Sequence, residues 1–441
     1  MSTTSDEQGR AVLPPPAAPG ATGAKGAVQR RTLGTLVVTQ ALGGVGLSAA
    51  IAMAALLAKD VSGSESLAGL AQTGQVLGAA VSAAFLAGYM SRHGRRPGLS
   101  IGYGIGALGA VTCVVAGALR SFPLLLVGAV LLGATTAANN QARYAATDLS
   151  VPGRRGRDLS LVVWATTLGA VLGPNLAGPG GRVAAALHLP PMTGPFLLAT
   201  VGIALAGAVM AFRLRPDPLL TARAVHRAGL AAGATPTPYR SSWRTTWALV
   251  AARPLVLAAV AGLALTHAVM VSVMVMTPIH MDHGHSSLEL IGLVISVHIL
   301  GMYAFAPVVG AAVDRFGSTP VLGAGALVLL ASLLLAGRSQ PGASWPLGAG
   351  LFLLGLGWSM GTIASSTLLT TATPEASRPD VQGAADMTAG FTAAAGGGVA
   401  GVVVGYLGYP WLAALGSMLA LGVLAVAMVA ARHTAQAIDL A

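Results

Sequence analysis

The hydrophobic pattern of this 441-residue chain is a dozen solid apolar runs separated by short polar breaks. They lie near 33–57, 67–90, 98–119, 122–144, 159–178, 193–213, 254–276, 288–312, 319–337, 345–370, 383–407 and 410–431. Each run holds 19 to 26 residues, and about 20 apolar residues in helical form cross a hydrocarbon core of ~30 Å. Polar residues do not alternate with apolar ones inside a run, so the runs read as helices and not as strands of a transmembrane barrel. Residues 1–31, with Pro14-Pro15-Pro16, read as a disordered tail. No signal-type apolar segment precedes the run that begins near Leu33, so no cleaved signal peptide is expected. Residues 214–253 turn to Arg, Pro and Thr, including Arg223, His226, Arg227, Arg240 and Arg244, and read as a connector between bundles at 32–213 and 254–432. Residues 433–441 read as a second tail.

Two landmarks recur at one offset. Gly310-Ala-Ala-Val-Asp314-Arg315-Phe316-Gly317 has a degraded echo 223 positions earlier, Ala87-Gly88-Tyr89-Met90-Ser91-Arg92-His93-Gly94-Arg95-Arg96. Pro152, with Arg154, Arg155 and Arg157 behind it, pairs with Pro374 and Arg378, 222 positions on. A shared spacing indicates an internal duplication. The predicted fold class is therefore an all-α membrane protein of twelve transmembrane helices, in two pseudo-symmetric six-helix bundles.

Composition sharpens this. Hydrophobic residues make up 54% and charged residues 9% of the chain, against about a quarter charged in soluble domains, so a soluble reading fails. The single cysteine, Cys113, sits in an apolar run and cannot form an intrachain disulfide. A formal charge of +11 would suit nucleic acid, but its distribution does not. Alternating sides from Met1, 21 of the 25 Lys and Arg fall on one face and four (Lys59, Arg120, Arg182, Arg338) on the other. That asymmetry places both termini in the cytoplasm of a plasma (inner) membrane. No basic stripe with interleaved aromatics is present, so nucleic acid is not expected as a partner.

The pattern Gly310-x-x-x-Asp314-Arg315-x-Gly317 resembles the signature loop of the major facilitator superfamily, which recurs between spans two and three and between eight and nine. The resemblance covers roughly residues 32–432. Two departures stand out: Ser91 replaces the first Asp, and Ser318 and Thr319 replace two basic residues. The resemblance implies a monomeric secondary transporter whose halves rock about a central cavity. It also implies charge clusters at the loops, with Arg92, Arg95 and Arg96 facing Asp148. Asp314, next to Arg315, would rest against the start of span five beside Arg155 and Arg157. Ser91, lacking charge, would leave the matching fastening weaker. In span five, Gly169, Gly173, Pro174 and Gly178 resemble the Gly-x-x-x-Gly-Pro motif of the superfamily's antiporters. There glycine thins and proline bends a helix, expected to be a hinge at the contact between halves.

Polar groups inside the runs are candidates for chemistry, because they are costly in lipid. Asn139, Asn140, Gln141 and Arg143 form a polar patch on span four; Arg143 either contacts substrate or snorkels to the interface. Asp386 either complements a helix N-terminus or carries a proton, and His267 is a further cavity or coupling candidate. Residues 267–302 hold five of nine histidines and five of fourteen methionines. Met270 and Met274 share one helical face, as do His298 and Met302, and the two pairs fall at similar depth in the outer half. Thioether and imidazole groups suit Cu(I), and the two spaced pairs resemble those of CcoA-like bacterial copper importers. That branch includes riboflavin transporters, and methionine is also an adaptable packing residue, so a metal importer, a riboflavin transporter and an exporter of a drug or metabolite all remain open. No phosphate-binding loop is visible, which points to an ion gradient, most simply protons, as the energy source. Neither an enzyme motif nor a cofactor site is apparent. The reading from another class is a membrane sensor that moves nothing. Lipid and a small-molecule or metal-ion substrate are the expected partners.

Overall fold

The computed structural model describes residues 19–229, 242–286, 288–342 and 345–439, which form helices joined by short turns, with no strand among them. Six spans form the first half: α1 (Pro19–Ser62), α2 (Glu65–His93), α3 (Arg95–Ala118), α4 (Phe122–Ala145), α5 with α6 (Arg155–Asn175 and Ala177–Ala186), and α7 (Gly194–Arg213). The connector holds α8 (Pro218–Gly229) and α9 (Trp243–Ala252). The second half is α10 (Pro254–Asp282), α11 with α12 (Leu288–Tyr303 and Ala306–Phe316), α13 (Ser318–Gly337), α14 (Trp345–Ala372), α15 (Arg378–Leu407) and α16 (Tyr409–Asp439). Among the described residues, eleven helices are long and apolar enough to span a membrane, and the bent pair α5–α6, taken as one span, makes a twelfth. An even number of crossings returns the chain to the side on which it began, termed the terminal face below.

One expectation needs correction. The tail predicted for 1–31 is shorter, because α1 starts at Pro19; residues 1–18 lie outside the described part. Gln29 anchors this extension by donating to Ala146 O (2.7 Å), Ser150 Oγ (3.1 Å) and Asp158 Oδ2 (2.8 Å). The second tail is likewise helical to Asp439. In the connector, Arg240 falls outside the described residues. Ser242 and Thr245 form a reciprocal capping box that starts α9.

The packing explains how the halves meet. The first half has its own core around Leu36, Leu57, Tyr103 and Phe196. Tyr144 of α4, however, packs into a second-half cluster with Val256, Leu369 and Val381, and Leu159 and Val163 of α5 pack with Val309 and Val313 of α12. Backbones also approach closely there. A Cβ on Gly383 of α15 would lie 2.9 Å from Ala83 O of α2, and one on Gly156 of α5 would lie 3.1 Å from Val313 Cβ. These seams all sit toward the terminal face, where α2 and α4 end and α5 and α15 begin.

The predicted hinge is placed differently. Pro174 sits in the segment where the axis turns by 61° between Arg155–Gly173 and Ala177–Ala186. A Cβ on Gly173 would meet Ala49 N at 2.8 Å, and one on Gly169 would meet Gly44 Cα at 2.7 Å, both on α1 of the same half. Gly178 has open space around it. The motif therefore thins α5 against its own bundle and not against the other half. Its glycines fall on the α1 side of the helix, whereas the seam is made one to four turns earlier by Gly156, Leu159, Ser160 and Val163.

Candidate functional site

A cavity of about 310 Å³ opens between the halves. Amides line its first-half wall: Gln40 on α1, Gln75 on α2, Asn139 and Asn140 on α4. The opposite wall is aromatic and soft, with His267 and Met270 on α10, Met302 and Tyr303 on α11, and Trp358 on α14. Trp358 organises it: its ring lies 5.3 Å from His267 and 5.6 Å from Tyr303, both edge-on, the geometry aromatic quadrupoles prefer. His267 Nδ1 donates to Leu263 O one turn back (3.0 Å), which directs Nε2 away from its own helix. Asn139 Oδ1 accepts from Tyr103 Oη (2.8 Å) and its carbonyl from Gln40 Nε2 (3.3 Å), so this wall is held rigid.

Arg143 and Asp386 close the floor. Arg143 Nη2 donates to Asp386 Oδ1 at 2.5 Å, across the divide between halves. Tyr144 Oη lies 3.4 Å from the same oxygen, and Gln141 Nε2 donates to Oδ2 at 2.9 Å. Both charges are almost wholly buried. Such a pair persists in a low-dielectric interior only when nearly every donor and acceptor is matched. Asp386 lies two turns inside α15, beyond the first turn where a helix N-terminus supplies much stabilisation.

Below the floor lies a second buried ion pair. Arg95, fully buried, donates to Asp148 twice (2.9 and 3.3 Å), to Gln141 Oε1 (3.1 Å) and to Gln382 Oε1 of α15 (2.6 Å). Its neighbours diverge: Arg92 is exposed, and the Arg96 backbone N–H donates to Asp217 of the connector (2.7 Å). Ser91 Oγ turns back to Gly88 O (3.0 Å). On the other side of the seam, Asp314 accepts from the backbone N–H groups of Gly156 (2.7 Å) and Arg157 (2.9 Å), at the open N-terminus of α5. Arg315 is exposed and its guanidinium lies over Phe316.

The soft-ligand quartet is only half gathered. Met270 and Met302 line the cavity, with His267 beside them, but Met274 and His298 do not. His298 is buried against α14 and its Nδ1 donates to Leu351 O (2.8 Å). Among the described residues, no group of three or more His, Cys, Asp and Glu could hold a metal ion. Sequence reasoning assigned no part to Gln382 or Trp358, and placed Gln141 in a polar patch without its two partners. A buried glutamine bridging two arginine–carboxylate pairs leaves no local pattern, because its partners are 46 and 245 positions away.

A family model described as the Major Facilitator Superfamily matches residues 36–289 and 272–437. The chain is 38% identical over 394 residues to an uncharacterised MFS-type transporter, YdeG, of Bacillus subtilis, covering 89% of this chain and 90% of that one. It is 26% identical over 360 residues to the riboflavin transporter RfnT of Brucella anthropi, covering 81% and 85%. Among solved structures, the proton:xylose symporter XylE superposes with a TM-score of 0.72 at 15% identity, over 91% and 95% of the two chains.

Proposed function

The chain belongs to the Major Facilitator Superfamily and is a secondary transporter; from that premise we propose that it carries a small planar organic solute with hydrogen-bonding edges, coupled to protons through Asp386. The observation that supports this cargo is the pairing of an aromatic wall (His267, Tyr303, Trp358) with an amide wall (Gln40, Gln75, Asn139, Asn140) across one cavity. A flat ring gains contact from the first, and its heteroatoms are satisfied by the second. Riboflavin, the cargo named for one relative, is of this class.

Asp386 suits coupling because a carboxylate in the membrane interior is retained at a cost and faces the cavity beside a fixed cation. Positive charge on the terminal face puts the termini in the cytoplasm. The arrangement seen, sealed at the terminal face, is then outward-open. In the next stage the Asp314 and Arg95 contacts part and the outer ends of the helices converge. The protein acts as a monomer in the plasma membrane.

Uptake of labelled riboflavin and related flat heterocycles into vesicles, with and without an imposed pH gradient, tests this reading. Gradient-dependent movement, lost in Asp386→Asn, is the expected result. Equal movement in vesicles with and without the protein for every such solute would reject it. Cu(I) is the second reading, favoured by Met270, Met302 and His267 sharing the cavity; labelled copper in the same assay decides between them.

A further inference from the structure

We propose that Gln141 is a positioning residue that ties the charge state of Asp386 to closure of the terminal face, through an amide that can satisfy Arg95 and the ionised carboxylate together but not Arg95 and the protonated acid. The inference rests on the coupling role of Asp386 proposed above.

The orientation of the amide follows from its neighbours. Arginine has donors only, so Gln141 must present Oε1 to Arg95 Nη1, 3.1 Å away. That leaves Nε2 toward Asp386 Oδ2, at 2.9 Å. The other carboxylate oxygen already accepts from Arg143 Nη2, another donor-only group. Both oxygens of Asp386 therefore accept, and the ionised carboxylate, with acceptor sites only, meets this arrangement in full.

A proton that takes the Oδ2 lone pair used by Gln141 sets a donor against a donor. The amide can restore that contact by turning its oxygen to the acid, but its nitrogen then faces Arg95, which cannot accept. No rotamer serves both. Gln141 is fully buried, so the loss is not readily made up by solvent. Arg95 keeps Asp148 within its own half and Gln382 across the divide. The link between cavity floor and seam is cut, and acidification favours conformations in which the terminal face has parted.

The charged and titratable groups around Asp386 are few. Arg143 and Tyr144 come from α4 and Arg95 from α3, while His267 of α10 and Tyr303 of α11 line the same cavity. Among the described residues, Arg143 and Asp386 are the only Arg, Lys, Asp or Glu in the cavity lining, and α14 carries no charged residue.

The test needs no substrate. In a Cys113→Ala background, spin labels at Val151→Cys and Phe316→Cys report the distance across the terminal face by pulsed electron resonance. Both positions are exposed, and they lie on opposite halves. In the otherwise unchanged protein, acidification from about pH 8 to about pH 5 should raise the parted population on the order of tenfold, and Asp386→Asn should produce that shift at the higher pH. Gln141→Met should reduce the response to less than about twofold. Gln382→Met removes a different Arg95 contact and should leave the pH response in place, which separates linkage from loss of a generic tie. Gln141→Asn, a methylene too short to span both partners, substitutes if the Met variant does not fold. A full pH response in the Gln141 variants overturns the inference and leaves the role of Asp386 standing. No response in the unchanged protein overturns both.

Discussion

The carboxylate of Asp314, at the end of α12, accepts the Gly156 backbone N–H of α5 at 2.7 Å, so a side chain of one half caps a helix of the other. The positive end of α5 and two otherwise open N–H groups stabilise the charge. Asp314→Asn keeps the shape, removes the charge and turns one donor toward donors. A partly buried carboxylate at a helix N-terminus contributes up to about 2 kcal/mol, so closure should weaken by roughly tenfold. Transport should fall while expression is unchanged, measured as initial rates normalised to protein. Unaltered rates would remove the latch.

Close approach at the same seam is a separate requirement. A Cβ on Gly310 would lie 2.6 Å from Ser160 Cβ, and Gly310→Leu should wedge the halves apart. A cysteine at Leu159, fully buried in the seam, should then react with a maleimide reagent much faster in the Gly310→Leu background than without it.

The pair Arg143–Asp386 makes a thermodynamic prediction. Removing one partner strands a buried charge, at about 3–5 kcal/mol, whereas replacing both by apolar residues is often neutral. Arg143→Met should therefore lower the melting temperature in detergent more than Arg143→Met with Asp386→Leu. Neither should transport. Equal melting of the two variants would show that the pair is not buried as a unit.

Half of this was legible in the chain itself. The twelve spans are written as solid apolar runs, and the duplication as two landmarks at one offset. Asp314 was legible because its loop motif is local. Trp358 and the partners of Gln141 were not, since their significance depends on groups brought together by tertiary packing. The soft-ligand pairs show the opposite error: helical spacing puts His298 and Met302 on one face, but it does not say which neighbour that side chain meets. His298 meets Leu351 O of α14. The Gly169–Gly173 motif was misplaced for the same reason, since a sequence shows that a helix is thin without showing against what.

The connector also supplies a tie that the sequence did not suggest. Arg223 of α8 donates to Ser91 O of the first half (2.7 Å) and to Ala376 O of the second (3.2 Å). The strap spans the seam where Ser91 offers no charge. Each bond is partly exposed, so about 1 kcal/mol in total is a fair scale. Arg223→Ala should raise labelling of a cysteine at Leu159 by roughly fivefold, measured as the rate constant with a small maleimide.

The cavity wall predicts affinity. Trp358→Leu removes a ring that orders His267 and Tyr303, and aromatic pairing contributes about 0.5–1.5 kcal/mol beyond buried area. The dissociation constant of an aromatic solute should rise roughly three- to tenfold, with less effect on a non-aromatic one.

Sided labelling of intact cells is the most direct check on a cavity open away from a sealed, cytoplasmic terminal face. In a Cys113→Ala background, a membrane-impermeant maleimide should react from outside with Gln72→Cys, an exposed position on the cavity wall, and leave Val151→Cys untouched until the cells are opened. Reaction at Val151→Cys with protection at Gln72→Cys would contradict the account.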